Sequence, residues 1–420
     1  MEKKTFEKVD ENIFYEKLNN GIDVYLYPTN KTKNFYITIS VKYGANVSKY
    51  KIDNKTVNII PGSAHFLEHK VMALSENKEI SKRINELGSL ANAWTSYYGT
   101  NYNIYGSINL IENLKLLLDI FYKTDINPKN VDEEKGIIGE EIDMYKDSID
   151  SLLTNHLYNN LFNKSYAKHT IVGERTDLEK ITAKSLNEIY NDYYIPNNTF
   201  IVVTGNFDEN EVLNVIKEYM DKLNLKQKKL PERIKENDSL KVFIPYEEIT
   251  KDLQNQRVKI AFKMNKKIFN MKDDILKDYI GLILSNNLGT SSKLFEKYKL
   301  DNIIIAMSNG VSIIDDYLIV TVDAITDNPD LFIKNIKKDI KKLKINKTEF
   351  ERKKKNYLKS YIMDFDNIED VEYMISVSLM INNYLDYNEY SLLKNMDYNI
   401  VNNVLQLLNF DNICIIKTVK

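Results

Sequence analysis

Apolar residues crowd into two short runs, 22–27 and 35–41, rich in β-branched and aromatic side chains, and predict strands on either side of a turn near Asn30. A helix follows Pro61, with Gly62 and Ser63 able to start it. A second helix spans 78–87 and stops at Gly88, a suitable residue for a helix C-terminus. Strands are then predicted at 92–95 and 101–108, and helices at 110–123, after Pro128, at 151–162 and at 182–194. A strand at 200–205 and a helix at 208–223 complete a mixed α+β unit ending near residue 225.

Residues 226–240 are polar, highly charged and contain Pro231, and read as a linker. Beyond them the order of elements partly recurs. Strands near 242–244 and 258–262 precede a helix at 273–288, a strand pair at 303–307 and 318–322, and helices at 331–343 and 347–365. Further helices lead to a strand at 412–417. The expected domains are therefore 1–225 and 241–420, two similar units of an antiparallel-rich sheet with helices packed on it. Lysines at 337–338, 341–342 and 353–355 alternate at helical spacing with Ile336, Ile340 and Leu343, which makes them the solvated face of an amphipathic helix.

Composition narrows the function classes. At 420 residues the chain exceeds a single core, and 43% hydrophobic with 28% charged residues is an ordinary soluble balance. A formal net charge of −2 offers no electrostatic reason for a nucleic-acid partner. No apolar run approaches the roughly 18 residues of a membrane span. The N-terminus lacks an apolar signal region and Cys414 is the one cysteine, so no disulfide forms within the chain and a cytoplasmic location is expected.

The candidate chemistry lies in Gly62-Ser63-Ala64-His65-Phe66-Leu67-Glu68-His69. On a helix, His65 and His69 share a face one turn apart, with Glu68 on the same side. Two neutral imidazoles suit Zn²⁺, and a carboxylate beside them suits proton transfer from a water. His-x-x-Glu-His is the inverzincin order, which needs a third ligand from a distant segment. The helical pattern after Pro128 is dense in acids, and Glu134, Glu140 and Glu141 are the residues to weigh.

Together these motifs resemble the pitrilysin/insulinase family of zinc peptidases, which includes the mitochondrial processing peptidase and small bacterial members. The resemblance rests on His-Phe-Leu-Glu-His-Lys at 65–70 and on Glu-Lys-Gly-Ile-Ile-Gly-Glu-Glu at 134–141. It rests also on Asn-Ala-Trp-Thr at 92–95, residues 169–173 and the passage 193–205. It implies Zn²⁺ held by His65, His69 and Glu141, with Glu68 as general base and Glu134, seven residues before Glu141, as its supporting acid. Glu140 competes for the ligand role, since one residue of helical register decides it. Asn92, Ala93, Trp94 and Thr95 would form the sheet edge on which peptide substrate is laid as an added strand.

By the same resemblance the fold is half of a clamshell chamber. The second half has no histidine after His169 and cannot repeat the metal site. It also departs from the family: Lys299 stands about where many relatives have an arginine, and isoleucine, at Ile304, where they have a tyrosine. The expected enzyme is thus a zinc endopeptidase acting on short or unfolded peptides, in a dimer whose homologous partner supplies that Arg/Tyr pair. The alternative is a non-catalytic peptide-binding or scaffold subunit.

Overall fold

Phe35–Val41 is buried at every position, because it lies inside a seven-stranded sheet covered on both faces. In the computed structural model, which describes residues 1–72 and 78–420, the strands of this region are β1 (Glu2–Phe6), β2 (Glu11–Lys17), β3 (Asp23–Pro28), β4 (Phe35–Val41), β5 (Lys49–Ile52), β6 (Lys55–Asn58), β7 (Leu90–Thr95), β8 (Thr100–Gly106), β9 (Thr199–Gly205) and β10 (Glu232–Arg233). The large sheet has the order β1-β2-β3-β9-β4-β8-β7. All its pairs are antiparallel except β3 with β9. A small sheet, β10-β5-β6, sits beside it.

The period of two along the strands separates two layers. Ile37 and Ile39 pair with Ile104 and Tyr102, and these four side chains join the main hydrophobic core with the helices Ser63–Met72, Leu110–Tyr122 and Glu209–Leu223. Each fully buried aliphatic side chain in such a layer contributes roughly 1.5–3 kcal/mol. The alternate residues Thr38, Ser40, Asn101 and Asn103 are polar and equally buried. They lie on the face covered by helix Ile368–Asn382, where Asn101 donates to both Ser40 Oγ and Glu372 Oε1. Glu372 also accepts from Ser376, and burial pushes its carboxyl above the usual range.

The remaining strands are β11 (Tyr246–Thr250), β12 (Gln256–Asn265), β13 (Ala306–Ile314), β14 (Tyr317–Thr326) and β15 (Ile413–Val419), in the order β11-β15-β12-β14-β13. As in the first sheet, one pair is parallel, here β11 with β15. Helices Ile149–Leu161, Asp273–Asn287 and Pro329–Asp339 pack on this sheet. The α+β class and the two sheet-and-helix domains are borne out.

The chain divides into two compact units that interleave along the sequence. One comprises Met1–Met144, Thr170–Ile234 and Ser360–Ser391; the other comprises Tyr145–His169, Lys235–Lys359 and Leu392–Lys420. This differs from contiguous domains at 1–225 and 241–420, because helix Ile149–Leu161 packs on β12 and β15 while helix Ile368–Asn382 packs on β4 and β9. Two local expectations also change. Residues 242–244 form no strand, since the Phe243 and Ile244 N–H groups both donate to the Asn160 carbonyl, and the strand begins at Tyr246. Within 226–240, Glu232 and Arg233 pair with β5, so that stretch is partly structured. Among the described residues, no helix is long and apolar enough to cross a membrane.

Candidate metal centre

Helix Ser63–Met72 is set by what it buries. Phe66 and Leu67 are fully buried, with Ala64, Val71 and Met72 close behind, which leaves the His65, Glu68 and His69 side facing away from the apolar layer. Its entry requires glycine. Gly62 has φ +87° and approaches the 172–173 backbone so closely that a Cβ would stand 2.8 Å from the Val172 carbonyl oxygen. Gly173, at φ +76°, meets Gly62 from the other side. The segment 169–173 singled out in the sequence thus locks the start of the motif helix.

Helix Pro128–Asp147 buries Val131, Glu134, Ile138 and Ile142, a stripe at helical spacing that includes one carboxylate. Two side chains register this helix. Lys70, buried on the motif helix, donates through Nζ to the Asn130 carbonyl at 3.0 Å. Arg175 grips Asp143 with both Nε and Nη2, at 2.5–3.0 Å, and lies where any side chain at Gly139 would collide. Neither Lys70 nor Arg175 was anticipated as part of the site. Lys70 had a signal, since it lies at i+3 and i+4 from Leu67 and Phe66 and hence on the buried side of the helix.

The two helices bring His65, His69 and Glu141 together, the one group of this kind among the described residues. Their ligand atoms all lie within 4.8 Å of one another. Nε2 of His65 is 3.6 Å from Glu141 Oε1, and Nε2 of His69 is 3.3 Å from Glu141 Oε2. Ligands about 2.0–2.1 Å from a tetrahedral zinc stand about 3.3–3.4 Å apart, so the donor set fits that ion in type and spacing. Glu140 is exposed on the neighbouring helical position. Glu134, fully buried, takes the other side of the His69 ring, with Oε1 2.8 Å from Nδ1. A proton on Nδ1 shared with Glu134 leaves the Nε2 lone pair for a metal.

Electrostatics follow from this geometry. Burial acts to lower His69, but hydrogen bonds to Glu134 and Glu141 outweigh it and raise the imidazole to about 9. The same contacts, His65 first and then His69, hold the Glu141 carboxyl far below its ordinary value.

Glu68 meets β7. Thr95 Oγ1 donates to Glu68 Oε2 at 2.6 Å. Among the described residues β7 is an edge strand paired with β8 alone, the kind of position to which an extended peptide can add as a further strand. Asn92 is exposed and accepts the Ala93 N–H through its own side chain at 2.9 Å. Ala93 packs toward the core, whereas the Trp94 ring lies 5.9 Å from the exposed Tyr373. In the other unit, Lys299 donates to the Ile305 carbonyl at 2.8 Å and Ile304 is buried.

Comparison with known proteins agrees with this picture. Residues 52–175 match the family model for insulinase (peptidase family M16), and residues 180–357 match that for the peptidase M16 inactive domain. An uncharacterized zinc protease, YmfH of Bacillus subtilis, is 29% identical over 301 residues, covering 69% of this chain and 68% of its own. A protease from Helicobacter pylori has the same fold, with a TM-score of 0.82 at 20% identity, over 98% of this chain and 100% of that one. The periplasmic protease PqqL of Escherichia coli aligns with all of this chain using 48% of its own length, at a TM-score of 0.76 and 17% identity.

Proposed function

Given that the chain belongs to the insulinase (M16) family of peptidases, we propose that it is a zinc-dependent endopeptidase acting on short or unfolded peptides. The observation that carries this reading is the convergence of His65, His69 and Glu141 beside Glu68, with an edge strand next to them. His65, His69 and Glu141 would hold the ion, and Glu134 orients His69 through Nδ1. Bound zinc supplies Lewis-acid polarisation of the scissile carbonyl and acidifies a water. Glu68 takes a proton from the attacking water and returns it to the leaving amine. The outward groups of β7 hydrogen-bond an extended backbone, which selects unfolded polypeptide over folded.

The working form is proposed to be a dimer with a homologous chain. This chain has the fold of about half of PqqL, which supports reading it as half of a larger enclosure. Lys299 donates to a local carbonyl and Ile304 is buried and apolar, so these positions do not carry the arginine and tyrosine that the resemblance leads one to expect. A partner carrying arginine and tyrosine there would complete the site. That same departure, with the inactive-domain match, favours the second reading, a non-catalytic peptide-binding subunit. Zinc content together with cleavage of a quenched fluorogenic peptide separates them: the first reading expects one zinc and turnover abolished by Glu68→Gln, the second expects peptide binding without turnover.

A further inference from the structure

The Asn-Ala-Trp-Thr stretch ends on a side chain that is already engaged within the protein. Thr95 and Ala93 share one face of β7, toward the core and the motif helix, while Trp94 takes the opposite face. Thr95 stands directly across from Thr100 on β8, with the two hydroxyl oxygens 3.5 Å apart. Each hydroxyl has one proton to give. Thr100 gives its proton to the Tyr43 carbonyl at 3.0 Å. Thr95 gives its proton to Glu68 Oε2 at 2.6 Å, the length expected of a hydroxyl donating to a carboxylate.

We propose that Thr95 is a positioning residue for the Glu68 carboxylate, holding one oxygen so that the other is free to receive the proton of the attacking water. This rests on the peptidase reading above and deepens it. Glutamate has three side-chain torsions, and Glu68 is only partly buried, so without a tether its carboxylate samples several rotamers. Fixing a general base in reach of its proton is worth orders of magnitude in rate. The tether comes from the strand proposed to pair with substrate, so the backbone of β7 aligns the peptide while its terminal side chain aligns the base. Both alignments are set by one element.

The test compares wild type with Thr95→Val, which keeps the branched shape without the donor, and Thr95→Ser, which keeps the donor. Each protein is assayed with zinc and the partner chain on a quenched fluorogenic peptide, and each is crystallised. Thr95→Val is expected to retain zinc and its unfolding temperature, to lose about tenfold to a hundredfold in kcat, and to change KM by less than about threefold. Thr95→Ser should recover kcat to within about threefold, and Thr95→Val in a Glu68→Gln background should lose nothing more. The crystal structures should show Glu68 in one rotamer on the Thr95 hydroxyl, and released from it in Thr95→Val. A raised KM with unchanged kcat would make Thr95 a substrate contact instead, and an unmoved Glu68 in Thr95→Val overturns the proposal outright. If wild type with zinc and the partner chain cleaves nothing, the peptidase reading fails, and the Glu68 rotamers still decide whether Thr95 positions this carboxylate.

Discussion

His69 is gripped from both sides, by Glu134 at Nδ1 and by Glu141 near Nε2, and that grip has consequences that can be titrated. In the metal-free protein the imidazole is raised from its ordinary 6.5 to about 9. A raised folded value means that its contribution to stability is full below about 6.5 and is lost as pH climbs through about 9. Zinc competes with the same proton, so affinity should rise with pH up to about 9 and then level. Calorimetry near neutral pH, in buffers of different ionisation enthalpy, should detect about one proton released per zinc bound. An affinity flat across this window would contradict the arrangement. The neighbouring acids divide just as sharply: Glu141→Gln should weaken zinc binding strongly, while Glu140→Gln, on an exposed position, should leave it nearly intact. Metal titration of the two variants with a competing chelator reads the difference, and the reverse order would mean that Glu140 is the ligand.

At the scale of elements, the site depends on two helices held in register by small and buried groups. Gly62 sits at positive φ against the Val172 carbonyl, so Gly62→Ala is both strained and crowded. It should destabilise the protein by about 1–3 kcal/mol and lower zinc affinity through displacement of His65; urea unfolding without metal and chelator titration measure the two effects. A change below about 0.5 kcal/mol would show that the entry tolerates a side chain. The helix bearing the histidines was legible because its motif and its apolar positions agree on one face. The β1–β2 hairpin was not, since Glu2–Phe6 and Glu11–Lys17 carry charges on a half-exposed edge and show little apolar run. Residues 242–244 misled in the opposite way. They are apolar, but Phe243 and Ile244 are largely exposed and their N–H groups are spent on Asn160. The Thr95–Glu68 bond joins positions 27 residues apart, and spacing alone carries no trace of it.

For the whole molecule, the sequence pattern conveys two similar sheets but not which sheet each helix serves. Segments 145–169 and 360–391 each belong to the unit away from their chain neighbours, and amphipathic periodicity says only that a helix buries a face. The proposed dimer belongs to this scale. The purified chain should show low turnover alone and gain strongly when a homologous chain with the missing arginine and tyrosine is added, with the mass in solution rising to that of a dimer. Full activity from an isolated monomer would remove the need for a partner. The central claim is narrower and more directly tested: wild type and Glu68→Gln, each loaded with zinc and supplied with the partner chain, are compared on a quenched fluorogenic peptide alongside elemental analysis. Both should hold one zinc per chain, and the variant should lose about 10²–10⁴ in turnover; equal turnover, or a wild type that takes up no zinc, would contradict the account.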